Sequence, residues 1–261
     1  MPNSVSASSV PAGYSQYTTA SGRVAWRPGL RWNSYDAYLF DIDGTLLRDP
    51  GRVHYNAFSK ACLEVLGHPL SLDAVNVAGS TDPRILSDAF AAAGIADDRW
   101  RPHQARLLAA ICSVVECNAE SMQLTIMPGV VEALRYLVAA GKWLGVATGN
   151  LESVGWLKLE RTGLREHFTF GGFSDAHEQR ADMIAAAAVQ ARELAGPNAS
   201  IVIVGDTPSD IAAALTNRLP AIAVATGHFT FECLLEHAPE ICAESLSALL
   251  STNSISRDEP A

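Results

Sequence analysis

The sequence predicts an open, doubly wound α/β fold, a parallel sheet flanked by helices and interrupted by an inserted helical cap. Three observations predict it. Apolar, β-rich runs recur along the chain, helical patterns separate them, and one long helical stretch breaks the alternation early. Near-continuous apolar runs suit strands buried on both faces of a parallel sheet. Strand–helix alternation is the pattern of a doubly wound sheet.

In chain order, residues 1–35 are rich in Ser, Thr, Ala and Tyr, with three arginines and no acid before Asp36. This segment reads as a disordered tail without the apolar core of a secretory signal. AYLFDID at 37–43 is the first strand. Residues 51–126 carry no strand signal and read as helices: VHYNAFSKACLEVLG, TDPRILSDAFAAAG and RPHQARLLAAICSVVECNAE. An ordinary βα connection needs only a few residues around its helix. The segment is therefore an insert, emerging like a lid beside the carboxyl end of the first strand. KWLGVATGN at 142–150, SIVIVGDT at 200–207 and AIAVATG at 221–227 are further strands, and FTFGGF at 168–173 is a weaker one. GVVEALRYLVAAG, LESVGWLKLERTG, ADMIAAAAVQARELAG and SDIAAALTN supply the helices between them. The core then comprises 36–50 and 127–250, with 251–261 a frayed end.

The chain has 261 residues, 48% of them hydrophobic, which is enough for a substantial core. A formal net charge of −9 argues against nonspecific binding to nucleic acid or anionic membranes. No apolar run is long enough to span a bilayer. Five cysteines without CxxC spacing read as reduced thiols of a cytoplasmic protein. The expected species is a monomer or homodimer.

Ligands of open α/β sheets bind outside the carboxyl ends of the strands. Asp41, Asp43, Thr148 and Asp206 all fall at those ends, and Asp210 follows four residues after Asp206. Two carboxylates about 4 Å apart repel by roughly 4 kcal/mol at a protein-like dielectric. A helix cap explains one acid after a strand; it does not explain several that converge. A hard cation does. Mg²⁺ takes one or two carboxylates plus substrate phosphate, here Asp41 and Asp206. An aspartate in line with phosphorus can act as a nucleophile, and a second carboxylate two residues on can move protons. The Thr148 hydroxyl and the Gly149–Asn150 turn can hold phosphate oxygens. The required cation is Arg180 or Lys158. Arg180, just after a strand end, is the better placed, because Lys158 lies two turns into a helix.

DIDGTLL, ATGN, Arg180 and GDTPSD, in this order, resemble the four motifs of the haloacid dehalogenase superfamily over about residues 36–250. The resemblance implies a Rossmann-like core with an α-helical cap, of the phosphoglycolate-phosphatase-like kind. AGSTDPRIL at 78–86 is similar to the cap segment of such members. It further implies Asp41 as nucleophile, Asp43 as acid/base, and Thr148 as phosphate ligand. Mg²⁺ would be held by Asp41, the Asp43 main-chain carbonyl and Asp206, with Asp210 in the outer shell. The third motif is usually Lys in the family; here it is Arg180, which keeps the charge but grips phosphate differently.

The reading is a Mg²⁺-dependent phosphomonoesterase acting on a small phosphorylated metabolite, phosphoglycolate-like or a sugar phosphate. A phosphomutase uses the same aspartate pair and is the alternative within the family. Outside catalysis the rivals are a phospho-accepting receiver, which lacks a lid insert, and a silent phosphate-binding or regulatory member. Ser80, Thr81 and Arg84 face the substrate or else cap and flank the next helix. His54 and His177 lie near the motifs and read as structural.

Overall fold

A computed structural model describes residues 11–252. Strands Ser15–Thr19 (β1) and Gly22–Trp26 (β2) pair antiparallel, where the sequence predicts a disordered tail over 1–35. The expectation fails for these residues because β2 is fixed by a strand from the other end of the chain. Trp26 is in register with Ile241 and Val24 with Ala243. Arg23 ties the hairpin down through Glu244 at 2.6 Å and Glu232 at 2.7 Å. No local pattern announces such a pairing. Residues 1–10, and 253–261 of the expected frayed end, lie outside the described residues.

Ala37–Phe40 (β3) is wholly buried, as its unbroken apolar run requires. Leu47–Arg48 (β4) leads into the insert and Thr125–Ile126 (β5) leads out, paired antiparallel as a short ribbon. The sequence reading gives β5 no strand, since two residues carry no period. Between them lie helices Val53–Leu66 (α1), Asp82–Ala92 (α2), Asp97–Trp100 (α3) and Gln104–Cys117 (α4). Phe58, Leu86, Phe90, Trp100, Leu107 and Ile111 form the core of this cap, with Phe90 stacked on Trp100 at 4.7 Å.

The remaining elements alternate: Val130–Ala139 (α5), Trp143–Ala147 (β6), Glu152–Arg161 (α6), Phe170–Gly172 (β7), Arg180–Ala195 (α7), Ile201–Gly205 (β8), Pro208–Thr216 (α8), Ala221–Val224 (β9), Phe231–Glu236 (α9), Ile241–Ala243 (β10) and Leu246–Ser251 (α10). The sheet runs β1-β2-β10-β9-β8-β3-β6-β7, parallel from β10 onward. Side chains alternate across β3, as strand geometry dictates. Tyr38 and Phe40 pack with Val130, Leu134 and Leu137 of α5 and with α10. Ala37 and Leu39 pack on the other face with α7, α8 and α9. Phe40 is level with Val146 of β6 and Val204 of β8, so Asp41, Thr148 and Asp206 leave the sheet side by side.

All five cysteines are free thiols. Among the described residues, no helix is long and apolar enough to cross a membrane.

Candidate active site

β3 ends at Phe40, and the chain turns at Gly44, whose φ of 93° favours glycine. Asp41 and Asp43 therefore sit in the turn, and each meets a different cation. Arg180 Nη2 donates to Asp41 Oδ1 at 2.9 Å. Lys158 Nζ donates to Asp43 Oδ2 at 2.6 Å and to Asn150 Oδ1 at 2.7 Å. The sequence reading treats Arg180 and Lys158 as alternatives; the fold brings both to the site. Lys158 reaches it because Val154, Gly155, Lys158 and Leu159 share the buried face of α6. A lysine on that stripe was the available signal. Asn150 completes the arrangement, donating to Asp43 Oδ2 at 2.9 Å and to Thr148 Oγ1 at 2.6 Å.

Arg180 is the first residue of α7, an unfavourable place for a cation beside the helix dipole. What holds it there is carboxylate. Nε and Nη2 donate to Asp210 Oδ1 at 3.0 and 2.5 Å, and Nη1 donates to the Gly79 carbonyl of the cap at 3.3 Å. Asp210 Oδ2 accepts from the backbone N–H and hydroxyl of Thr207, the N-cap of α8, in a reciprocal capping box. Asp210 is thus occupied on both oxygens. Because Thr207 does the capping, Asp206 is not needed for it.

Asp206 accepts from the Thr45 hydroxyl at 3.0 Å. A Cβ at Gly227 would lie 1.7 Å from Asp206 Oδ2, and one at Gly44 2.3 Å from it. Both glycines make room for this carboxylate. Thr45 and Gly227 escape the sequence reading, as they act only through Asp206.

Oxygens of Asp41, Asp206 and Asp210 lie within 4.8 Å of one another. Burial pushes the Asp206 carboxyl well above its ordinary value, and neighbouring Asp41 and Asp210 push it further. Asp41 is raised too, by burial first, with Arg180 opposing. Burial also works against ionised Asp43, but the Lys158 ammonium and the Asn150 amide overcome it and hold the carboxyl below its usual value. Asp43 is ringed by protein yet keeps 44% of its side chain open to the pocket. Once all are ionised, four carboxylates (Asp41, Asp43, Asp206, Asp210) face two cations (Arg180, Lys158), and the two negative charges left over are the complement of a divalent ion. An oxygen-only donor set with that deficit fits Mg²⁺.

The site is the floor of a cavity of about 230 Å³ between core and cap. Core residues Asp41, Asp43, Thr148, Gly149, Lys158 and Arg180 line it, with Tyr55, Phe58 and Ser80 from the cap. Thr148 is fully buried, and the Gly149 carbonyl accepts from the Asp82 N–H at 2.8 Å. Thr81 caps α2 by accepting from Arg84 N–H at 3.3 Å, and Arg84 pairs outward with Asp88 at 2.8 Å. Of the three cap residues singled out in the sequence, only Ser80 lines the cavity.

Such a floor of acids at the carboxyl edge of a parallel sheet, roofed by inserted helices, defines an open α/β-sheet enzyme with a helical cap. Residues 35–216 match the haloacid dehalogenase-like hydrolase family, and the chain belongs to it. It is a phosphoglycolate-phosphatase-like member, an enzyme of the phosphatase type. The chain is 30% identical over 200 residues to phosphoglycolate phosphatase of Rhodospirillum rubrum, covering 74% of this chain and 80% of that one. The fold is shared with a predicted phosphoglycolate phosphatase from Haemophilus somnus (TM-score 0.63, 18% identity, 84% of this chain and 98% of that one). It is also shared with CbbY from Rhodobacter sphaeroides, solved in complex with phosphate (TM-score 0.57, 21% identity, 75% and 87%).

Proposed function

We propose that this protein is a Mg²⁺-dependent phosphomonoesterase that hydrolyses a small phosphorylated metabolite, phosphoglycolate-like or a sugar phosphate, through an aspartyl-phosphate on Asp41. The observation that carries the reading is the division of the two aspartates between two buried cations. Arg180 engages Asp41 Oδ1, and Oδ2 accepts from no described residue, so Oδ2 is the attacking oxygen. As its bond to phosphorus forms, the bond from phosphorus to the leaving oxygen breaks, and Asp43 protonates the alkoxide. Water then attacks phosphorus, giving its proton to the Asp43 carboxylate, and Asp41 is released.

Lys158 favours the carboxylate form of Asp43, which suits this second half. An incoming phosphate dianion opposes that bias, since a nearby negative charge raises a carboxyl pKa. Thr148, Gly149 and Arg180 are the proposed phosphate contacts. Asp41, Asp206 and the Asp43 carbonyl would hold Mg²⁺, with Asp210 supporting from behind. When bound, the ion supplies positive charge against the transferring phosphoryl group.

The cavity, about 230 Å³, suits a small leaving group better than a nucleotide. The test is Mg²⁺-dependent turnover of p-nitrophenyl phosphate by the wild type against Asp41→Asn, then a panel containing 2-phosphoglycolate, sugar phosphates and nucleotides. Wild-type turnover no greater than that of the variant sinks the phosphatase reading. Nucleotides as the best substrates sink the size argument.

A further inference from the structure

Asp82 belongs to the cap, at the first position of α2, yet it is buried and both of its polar ends reach the core. Its backbone N–H donates to the Gly149 carbonyl at 2.8 Å, and its Oδ2 accepts from the Leu151 N–H at 2.9 Å. The two contacts bracket Asn150, the residue that bonds both Asp43 and Lys158. An aspartate in a first helical turn ordinarily serves its own helix. Here Thr81 already does the capping, so the Asp82 carboxylate is spent across the domain boundary.

His54, on α1, joins the same two groups from the cap side. Its Nδ1 lies 3.3 Å from Lys158 Nζ and its Nε2 3.1 Å from Asp82 Oδ2. An ammonium can only donate, so Nδ1 accepts and the ring proton falls on Nε2, facing Asp82. Nε2 makes no well-aligned hydrogen bond, so its contact with Asp82 is electrostatic. The approach is tight: a Cβ at Gly149 would lie 2.1 Å from the Ser80 carbonyl oxygen.

We infer that Asp82 and His54 are positioning residues, a clasp by which the docked cap fixes Asn150 and Lys158 and thereby aligns Asp43. Asp82 grips the backbone on both sides of Asn150, while His54 braces the ammonium from above. Neither residue touches a reacting atom; both act through Asn150 and Lys158. The catalytic consequence rests on the phosphatase reading, whereas the grip of Asp82 on the core loop does not.

Hydrogen exchange of the 148–152 segment tests the grip. Asp82→Ala should speed exchange at the Leu151 amide by about tenfold, the worth of one net hydrogen bond. Asp82→Asn, which keeps an acceptor oxygen, should stay near wild type, as should Arg84→Ala on the outer face of the same helix. If Asp82→Ala does not fold, Asp82→Ser, too short to reach Leu151, takes its place. In steady-state turnover of p-nitrophenyl phosphate, Asp82→Ala and His54→Ala should lower kcat by about tenfold while KM moves by less than about threefold, with Asn restoring most of the loss at 82. Unchanged Leu151 exchange in folded Asp82→Ala overturns the clasp. Faster exchange with unchanged kcat overturns its role in aligning Asp43. A wild type without turnover removes the phosphatase reading, and the exchange result alone then decides whether the grip exists.

Discussion

Replacing Lys158 with methionine separates the charge of this buried side chain from its packing. Methionine fills a similar volume with little strain. At 2.6 Å the Lys158–Asp43 attraction has an upper bound of about 6 kcal/mol at an effective dielectric of 20. Asp43 is 44% exposed, so a water-like value of about 2 kcal/mol is nearer the mark. Methionine also spares the protein the desolvation of an ammonium, which offsets part of that loss. Stability should therefore fall by only about 1 kcal/mol, or about 2–4 °C in Tm. Activity should fall much further. Without the ammonium, the strongest influence holding the Asp43 carboxyl low is removed, so its pKa rises. Positioned proton transfer contributes about 10²–10⁴-fold, and we expect a loss in kcat of about 100-fold. The sign of the pH effect follows. A carboxylate held low is ionised down to acidic pH; held high, it is lost as base at a higher pH. The acid limb of kcat/KM should move upward in Lys158→Met. Turnover of p-nitrophenyl phosphate over about pH 5–9, with thermal unfolding alongside, measures all three. Activity within about threefold of wild type and an unmoved acid limb would refute control of Asp43 by Lys158.

Gly227→Ala places a Cβ 1.7 Å from Asp206 Oδ2, so the carboxylate must swing away. Mg²⁺ affinity should drop by about 10–100-fold, read from the Mg²⁺ activation midpoint, and an unchanged midpoint counts against Asp206 as a ligand. Arg180→Ala should weaken inhibition by inorganic phosphate more than Lys158→Met does; the reverse order would exchange their roles. Gly149→Ala sets a Cβ 2.1 Å from the Ser80 carbonyl, which should hold the cap off the core and enlarge the radius of gyration in solution scattering. No change in radius would mean the loop gives way instead. Burial first, and then neighbouring acids, raise the Asp206 carboxyl above its ordinary value. The folded state then binds more protons than the unfolded one, so metal-free stability should fall as pH rises from the ordinary carboxylate range through neutrality. Mg²⁺ replaces those protons, so its stabilising shift in Tm should grow with pH; a shift independent of pH would contradict this linkage.

The core was legible because its strands are buried on both faces and so read as unbroken apolar runs. AYLF, WLGVA, IVIVG and AIAV become β3, β6, β8 and β9. The cap helices were legible from their length and apolar period. The hairpin of β1 and β2 was not, since its partner β10 lies at the far end of the chain. Asp41, Asp43 and Asp206 stand out in sequence because acids at strand ends need a reason. Asp82 and His54 do not, since each gains its meaning from a contact between core and cap. Local patterning has no access to that docking.

The pairing of β2 with β10 also orders events during synthesis. The ribosome releases the hairpin first, but β10 begins at residue 241. At about 5–20 residues per second, the gap between them takes roughly 10–40 s to make. For that interval the edge bearing Val24 and Ala25, both buried in the finished sheet, has no strand to cover it. The seam between β2 and β10 can therefore close only after residue 243 has been made, so the sheet is completed late.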